Sequence, residues 1–549
     1  MAPSSGRMLL GSPPPGTEID LEDLSRRTSL STDDRRRRPQ QPSYRRMAMW
    51  MAEHLDMLQI RRTSILGILA ALYLPLSFVT LFLCDTLVPA WDHTFLGVHS
   101  TATVRDHPKP HNELASSRVL ALERSFAKWE FKNMRHTAIP VPRVLSWSSD
   151  ASNAVGAEYI VMEKAPGVPL FQFWGTMTEF EKLQLIKNLT KLEAQLSTIK
   201  FPVYGGLYLR TDTSRSNRPL DDDIDPSQSF CIGSSCDRAF NTDMTLEFNK
   251  RPWSSVSDLG ISIAEGELIL ISREGQQSQS TYYRGTFEQR SQLLEVTMAV
   301  MKLLDSNQLL KKVSQPTLWH TDLHMGNIFV NPDECSKIVS LIDFQSTPVL
   351  PAFLQAQWPI FLRPQNYDYV RGIFQPQLPD DFATLGEENR NIALREWSQV
   401  KLAKAYEVST YLEDRAAHDT MSVPRVFREL FTRCGEVSEV GIVLLRACLI
   451  EICQNWVNLD FSGECPFSFS QAELDEHQRQ FGEYQAWHEV RILAEKCLDT
   501  DAERWIAPQS NINEKRRQNK ELMALYIEKV AGERSAKEAK AMWPFFAGT

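Results

Sequence analysis

Residues 317–346 read TLWHTDLHMGNIFVNPDECSKIVSLIDFQS and contain the clearest pattern of strands and turns in the chain. Two short apolar runs, 328–330 and 338–342, are rich in β-branched residues and flank the sequence NPD at 331–333. That combination is typical of a tight turn between two strands. A third apolar run, 317–319, precedes a polar loop. We therefore expect a hairpin whose open end carries polar side chains.

Three side chains at this open end have the chemistry that phosphoryl transfer needs. Asp322 can orient an attacking hydroxyl and accept its proton. Asn327 and Asp343 can supply an amide oxygen and a carboxylate to a Mg²⁺ ion that holds nucleotide phosphates. A site with only two protein ligands suits Mg²⁺, because this ion keeps several of its waters. The sequence predicts a catalytic base at Asp322 and a metal site at Asn327 and Asp343.

The spacing of these residues supports that interpretation. The five-residue step from Asp322 to Asn327 matches the H-x-D-x-x-x-x-N catalytic loop of kinases, with His320 at the histidine position. Asp343 and the phenylalanine after it match the start of the D-F-G motif. We therefore include His320 among the predicted catalytic residues. For His324 two roles stay open, a contact to phosphate or substrate and a structural histidine that packs the turn.

The loop resembles that of the aminoglycoside phosphotransferase and choline kinase branch of the kinase-like superfamily. That branch has H-G-D-x-H-x-x-N, and residues 320–327 here are HTDLHMGN, with Thr321 in place of the usual glycine. Gln345 replaces the glycine of D-F-G. The resemblance implies an α+β, protein kinase-like fold with a largely helical C-lobe. It also implies ATP and Mg²⁺ as cofactors and a small-molecule hydroxyl as the phosphate acceptor.

Composition excludes some other classes of protein. A chain of 549 residues with 42% hydrophobic residues is long enough for two or three domains with a sizeable core. The net charge of -9 argues against nucleic acid as a partner, because no basic excess can release counterions. The nine cysteines include no C-x-x-C pair, which indicates reduced thiols rather than a secreted disulfide framework.

Two segments precede the kinase-like part. Residues 1–60 are predicted as a disordered N-terminal tail, because their composition up to about residue 45 cannot bury enough apolar surface. Residues 64–84 form a run of 21 uncharged, mostly apolar residues, long enough to cross a bilayer at about 1.5 Å per residue. We predict one transmembrane helix there, with a buried core helix as the alternative. Acidic residues in the tail argue against a cleaved mitochondrial presequence.

Residues 108–165 are predicted to form a reduced kinase-like N-lobe. Apolar residues at helical spacing over 113–135 predict the helix that would supply a glutamate to a strand lysine. Glu123 is the candidate for that glutamate and Glu130 is its rival, while an exposed glutamate on a solvated face is the plainer interpretation. Strands are predicted at 144–147 and at 157–162.

The strand predicted at 157–162 leads to the expected nucleotide site. In kinase folds the backbone that follows such a strand hydrogen-bonds the adenine ring, so Met162, Glu163 and Ala165 are the predicted nucleotide-binding positions. Because main-chain groups make those bonds, side-chain identity says little about them.

The part of the site that would bind phosphate is not recognisable in the sequence. Only about 28 residues separate Asp85 from Glu113, too few for three strands with their turns. Gly97 is the only glycine in that interval and Lys109, between two prolines, is the only lysine. A pseudokinase, which binds without turnover, therefore remains an alternative.

Residues 166–500 are predicted as the C-lobe, and 501–549 as a C-terminal helical extension. Thr178 with Glu181 makes a capping box for one helix, and Thr286 begins another that should continue to about residue 312. Residues 212–284 look like an irregular insertion, either a lid over the acceptor site or disorder. Further helices are predicted at about 391–415, 423–433, 437–457, 470–498 and 513–541.

Several motifs in order resemble the fungal altered inheritance of mitochondria protein 9 family. They are EYIVMEKAPGVPLFQFW, FCIGSSCDRAF, RPWSS, HTDLHMGNIFV, LIDFQS and AQWPIFL, and the resemblance covers roughly residues 137–415. It implies a mitochondrial setting, with another internal membrane as the alternative, and a phosphotransferase-like domain whose acceptor is not established.

Two hypotheses follow. The first is an ATP- and Mg²⁺-dependent phosphotransferase that phosphorylates a hydroxyl of an unknown small molecule. The second is a membrane-associated mitochondrial pseudokinase that acts as a binding or scaffold protein. The missing glycine-rich loop and strand lysine motivate the second.

Overall fold

The computed structural model describes residues 94–97, 137–148, 152–157, 159–210, 217–235, 252–273, 284–344, 347–364, 371–372, 374–498, 500, 511–532 and 534–545. The predicted tail at 1–60, the predicted transmembrane segment at 64–84 and the predicted helix at 113–135, which includes Glu123, lie outside these residues. In the part of the chain that the structure describes, no helix is both long and apolar enough to cross a bilayer.

A small antiparallel sheet comes first in the chain. It consists of β1 (Thr94–Gly97), β2 (Val144–Ser148) and β3 (Tyr159–Glu163), and β3 lies in the middle. Met162 of β3 lies opposite Val144 of β2. The strands predicted at 144–147 and 157–162 are confirmed. β1 precedes residue 108, so this sheet begins earlier than the predicted N-lobe.

The predicted hairpin is confirmed. It consists of β9 (Ile328–Asn331) and β10 (Glu334–Leu341), and β4 (Val168–Pro169) adds a third strand beside β9. The side chain of Asn331 stabilises the turn, because its Oδ1 accepts a hydrogen bond from the backbone N–H of Asp333 at 2.8 Å. β10 is longer than predicted and begins directly after the turn.

Two further sheets flank the hairpin in the chain. β8 (Pro316–Leu318) pairs with β11 (Val349–Pro351). The other sheet has the order β5-β7-β6, and its strands are β5 (Gly206–Leu209), β6 (Arg218–Pro219) and β7 (Phe230–Gly233).

Helices make up most of the described chain from residue 171 onwards. In chain order they are α1 (Phe171–Trp174), α2 (Glu179–Ser197), α3 (Val256–Arg273), α4 (Phe287–Met301), α5 (Gln308–Lys311), α6 (Ala352–Gln355), α7 (Glu387–Glu413), α8 (Arg415–Met421), α9 (Arg425–Cys434), α10 (Val437–Val440), α11 (Ile442–Gln454), α12 (Gln471–Leu498), α13 (Ile512–Val530) and α14 (Ala536–Met542). Short 3₁₀ turns lie at Leu304–Ser306, Ile360–Leu362 and Phe382–Thr384. The prediction of a mixed α+β chain, mainly helical towards its C-terminus, is confirmed.

The prediction of an irregular insertion at 212–284 is wrong. This segment contains β6, β7 and the 18-residue helix α3. Trp253, just before α3, is 1% exposed and belongs to the same apolar cluster as Phe427 of α9 and Leu449 of α11. The described part of the segment is therefore built into the core and cannot be a mobile lid.

Three predicted helices are shorter or broken. The helix that begins after Thr286 ends at Met301, because Asn307 caps the separate helix α5 with hydrogen bonds to two backbone N–H groups. The helix predicted at 437–457 divides at Gly441, whose φ is +93°. The one predicted at 513–541 divides before Ser535, which forms a new capping box. The capping box of α2 is present as predicted.

A second apolar cluster holds the hairpin against the helices. Several of its members are at most 1% exposed, among them Leu185 and Leu189 of α2, Ile328 of β9, Tyr406 of α7, and Phe344, which follows β10. Burying each such side chain contributes about 1.5–3 kcal/mol to folding. The hairpin is therefore a rigid support for the polar loop at its open end.

Candidate functional site

The polar loop between β8 and β9 is held by hydrogen bonds within itself. The backbone N–H of His324 donates to the carbonyl of Asp322 at 3.1 Å, and the N–H of Asn327 donates to the carbonyl of His324 at 3.0 Å. The side-chain Nδ2 of Asn327 donates to the carbonyl of Asp322 at 3.0 Å. Because that bond occupies Nδ2, the amide oxygen is the atom of this side chain left to bind a cation.

The end of β10 joins this loop directly. The backbone N–H of Ile342 donates to the carbonyl of Asn327 at 3.1 Å. Asp343 follows with φ +67°, a left-handed conformation that is uncommon outside glycine but that aspartate tolerates. The structure therefore brings Asp322, Asn327 and Asp343 to the same end of the hairpin. Strained backbone of this kind is often found at functional sites.

His320 is fixed from both sides. Its ring is 3% exposed, its Nδ1 accepts from the backbone N–H of Asp322 at 3.3 Å, and its Nε2 lies 2.9 Å from the carbonyl of Ile342. Since Nδ1 must accept, Nε2 carries the proton and the ring is neutral. The ring also packs on Phe344, with centroids 4.2 Å apart. This geometry makes His320 a positioning residue that joins the loop to the end of β10.

His324 has the structural one of the two predicted roles. Its Nδ1 accepts a hydrogen bond from the backbone N–H of Gly326 at 3.0 Å, which closes the turn. This bond occupies Nδ1, and a contact of Nε2 with phosphate or substrate stays a prediction.

The predicted nucleotide-binding positions lie where the small sheet meets the hairpin. Met162 packs in one small apolar cluster with Ile342, the residue before Asp343. Glu163 pairs with Arg143, with Oε1 3.0 Å from a guanidinium nitrogen. Ala165 lies in the connection from β3 to β4. These three residues therefore border the same end of the hairpin as the polar loop, and their contact with a nucleotide stays a prediction.

Gly167 allows the close approach of this connection to the hairpin. Its φ is +86°, and a Cβ there would lie 2.5 Å from the carbonyl oxygen of Val330 and 2.5 Å from a methyl carbon of Val339. Only glycine fits at that distance. β4 can consequently pair with β9 immediately after the predicted nucleotide-binding residues.

A cavity of about 180 Å³ opens beside Asp322. Its wall includes Glu193 of α2, Gln355 of α6, and Trp358 and Arg363 from the segment around the Ile360–Leu362 turn. No sequence pattern singles out Gln355 or Arg363. Glu193 did carry a signal, because it lies four residues after Leu189 and three before Leu196 in an otherwise apolar helix face.

Glu193 is buried as a protonated acid. It is 4% exposed, and burial raises the pKa of its carboxyl to about 8. The hydrogen bond from the Tyr406 hydroxyl lowers this pKa, but by less than burial raises it. That bond joins the Tyr406 oxygen to Oε2 at 2.8 Å. The nearby charge of Asp414 raises the pKa further.

We expect the buried proton of Glu193 to make stability fall with rising pH. The unfolded chain releases this proton near pH 4.5 and the folded chain only near pH 8, so the folded state binds more protons between those values. The free energy of unfolding should therefore decrease by about 1 kcal/mol per pH unit in this window, and Glu193→Gln should remove that decrease. Urea unfolding of both proteins at pH 5, 6.5 and 8 measures it.

The matched control for this experiment is Glu265→Gln, an exposed glutamate on α3. It should keep the slope of the unmodified protein. An unchanged slope in Glu193→Gln would show that Glu193 is ionised in the folded state.

Comparison with known proteins places the chain among fungal relatives. No protein family model matches it. It is 27% identical over 406 residues to a subtelomeric hrmA-associated cluster protein of Aspergillus fumigatus, and the alignment covers 66% of this chain and 76% of the relative. It is 21% identical over 415 residues to a Kluyveromyces lactis protein named altered inheritance of mitochondria protein 9, mitochondrial, which covers 68% of this chain and 64% of that protein. Further relatives with that name confirm the family resemblance.

The solved structures that are similar to this chain include aminoglycoside phosphotransferases. One is the streptomycin–ATP–APH(2'')-IIa ternary complex, with 14% identity and a TM-score of 0.31, which covers 71% of this chain and 99% of that one.

Proposed function

We propose that this relative of the altered inheritance of mitochondria protein 9 proteins is a mitochondrial, kinase-like phosphotransferase that moves the γ-phosphate of ATP to a hydroxyl group. One observation carries the proposal. The bonds from Asn327 to the carbonyl of Asp322 and from Ile342 to the carbonyl of Asn327 hold a base candidate and two oxygen-ligand candidates at one end of a rigid hairpin.

The residues at this end fit Mg²⁺ better than a metal with an all-protein ligand set. Among the described residues, no three His, Cys, Asp or Glu side chains cluster in a way that could hold a metal. Asn327 and Asp343 offer one amide oxygen and one carboxylate, and nucleotide phosphates with water complete such a site. When bound there, Mg²⁺ would neutralise charge on the transferred phosphoryl group.

The residues of the chain would then have separate roles. Asp322, exposed at the wall of the cavity, orients the acceptor hydroxyl and receives its proton. Asn327 and Asp343 would hold the metal. His320 keeps the loop in register with the end of β10. Main-chain groups near Met162, Glu163 and Ala165 would bind the adenine ring.

The second candidate function is a pseudokinase. The three described strands of the small sheet contain no lysine, although a kinase N-lobe uses a strand lysine to pair with nucleotide phosphates. A protein of this kind would bind a nucleotide or a partner without turnover.

Nucleotide binding should depend on Asp343. ATP with Mg²⁺ should raise the melting temperature of the protein, and Asp343→Asn should abolish that rise, because asparagine tolerates the left-handed backbone but lacks the charge that binds the metal. Differential scanning fluorimetry with ATP·Mg²⁺ measures both proteins.

Asp333→Asn is the matched control, since Asp333 lies in the turn at the opposite end of the same hairpin. It should keep the full shift. A shift that survives in Asp343→Asn, or that is absent from the unmodified protein, contradicts the proposed metal–nucleotide site.

A further inference from the structure

Two residues that line the cavity each carry a buried polar atom that lacks a hydrogen-bond partner among the described residues. Gln355 is 3% exposed, and its Nε2 donates to the carbonyls of Thr317 and Pro348, so its Oε1 is left unpaired. Oε1 of Glu193 is likewise unpaired. An unsatisfied buried polar atom destabilises the protein, and a ligand can remove that penalty by supplying the missing bond.

The two atoms suit hydroxyl groups. The amide oxygen of Gln355 can only accept a hydrogen bond, whereas the protonated carboxyl of Glu193 can also donate. A hydroxyl group both donates and accepts, so it can satisfy either atom. The wall of the cavity is thus complementary to a compound with more than one hydroxyl.

Positive charge is concentrated at one side of the cavity. Arg363 is exposed in its wall, and its guanidinium donates a hydrogen bond to Oε1 of Gln357 at 3.3 Å. The guanidinium of Arg371 lies 4.9 Å from the ring centroid of Trp358, which also lines the cavity. Burial, and then the charges of Arg371 and Arg363, lower the pKa of Arg428 to about 10, while the charge of Glu429 raises it.

Negative charge is sparse among the described residues in the wall of the cavity. The acidic residues in the cavity wall are Glu193 and Asp322, and Glu193 is protonated at neutral pH. Asp322 is the proposed base and has to face the acceptor hydroxyl itself. A cationic acceptor would therefore meet an unfavourable field, while an acidic group can pair with Arg363.

We propose that the cavity binds a small polyol that carries an acidic group, with that group on Arg363 and hydroxyls on Gln355 and Glu193. We take this compound to be the phosphate acceptor, and that assignment rests on the proposed phosphotransferase function. The binding itself follows from the cavity alone.

A matched series of six-carbon polyols tests the charge preference. Gluconate is anionic, sorbitol is neutral and glucamine is cationic, while their hydroxyl-bearing chains are nearly the same. In calorimetric titrations without nucleotide we expect gluconate to bind at least about tenfold more tightly than glucamine, as one charge-assisted pair predicts. Arg363→Gln should reduce that difference to about twofold or less, because the favourable pair is gone.

Arg210→Gln, which changes an exposed arginine that hydrogen-bonds Gln228 and is not among the residues that line the cavity, is the control and should keep the full preference. The proposal is overturned if glucamine binds as tightly as gluconate, if none of the three binds, or if the preference survives in Arg363→Gln. Because no nucleotide is present, each of these results leaves the ATP·Mg²⁺ test of the phosphotransferase unaffected.

Discussion

Asp322→Asn should lower the rate of phosphate transfer from ATP by about 10²–10⁴-fold, the usual contribution of a general base. The substitution removes the group that accepts the hydroxyl proton and changes little else. The backbone carbonyl and N–H of Asp322 make the bonds to Asn327 and His320, and asparagine keeps both. The readout is release of inorganic phosphate from ATP·Mg²⁺ with water as the acceptor, compared with the same reaction of the unmodified protein.

Two further measurements make this result specific. The shift in melting temperature caused by ATP·Mg²⁺ should be the same in Asp322→Asn as in the unmodified protein, because the proposed metal ligands are unchanged. Asp333→Asn should release phosphate at the normal rate. An Asp322→Asn protein that is equally active removes Asp322 from the mechanism, and an inactive unmodified protein that still binds ATP favours the pseudokinase.

Phe344→Ala should lower the free energy of unfolding by about 3–5 kcal/mol, as is usual when a large aromatic side chain is removed from a core. Phe344 is 1% exposed and packs in the cluster that contains Leu323 and Leu341. Its ring also supports the ring of His320. Urea unfolding gives the change in stability.

The same substitution should also reduce phosphate release under conditions where the variant is folded, because His320 loses the surface that holds it between Asp322 and Ile342. Phe180→Ala is the control, since Phe180 is 69% exposed in the first turn of α2. Its stability should change by no more than about 0.5 kcal/mol. Equal stability of the two variants would place Phe344 outside the core.

The hairpin and its polar loop could be predicted from the sequence because local chemistry determines them. The turn at 331–333 and the β-branched runs beside it fix the register, and the register decides which residues reach the open end. Asp322, Asn327 and Asp343 are therefore brought together by short-range rules. The capping boxes at Thr178 and Thr286 were predictable for the same reason.

Features that depend on distant contacts could not be predicted. α3 contains Gly260, which lowers helix propensity, but a Cβ there would lie 2.5 Å from Sδ of Met301, so the glycine serves the packing of α3 on α4. Gly441 likewise breaks its helix where a Cβ would lie 2.6 Å from Cα of Arg284. The cavity depends on α2, α6 and a 3₁₀ turn meeting near Asp322, and no local pattern reports such a meeting.

The two attachments of the small sheet to the hairpin have a consequence for its motion. The carbonyl of Pro140, before β2, accepts a hydrogen bond from the N–H of Leu341 at 2.8 Å, and Val168, after β3, pairs with Val330. The chain is thus clamped to the hairpin where it enters and where it leaves the β2–β3 pair. Any movement of the small sheet relative to the hairpin has to pivot at these two points. We therefore expect the residues near Asp343 to move little and the far edge of the small sheet to move most.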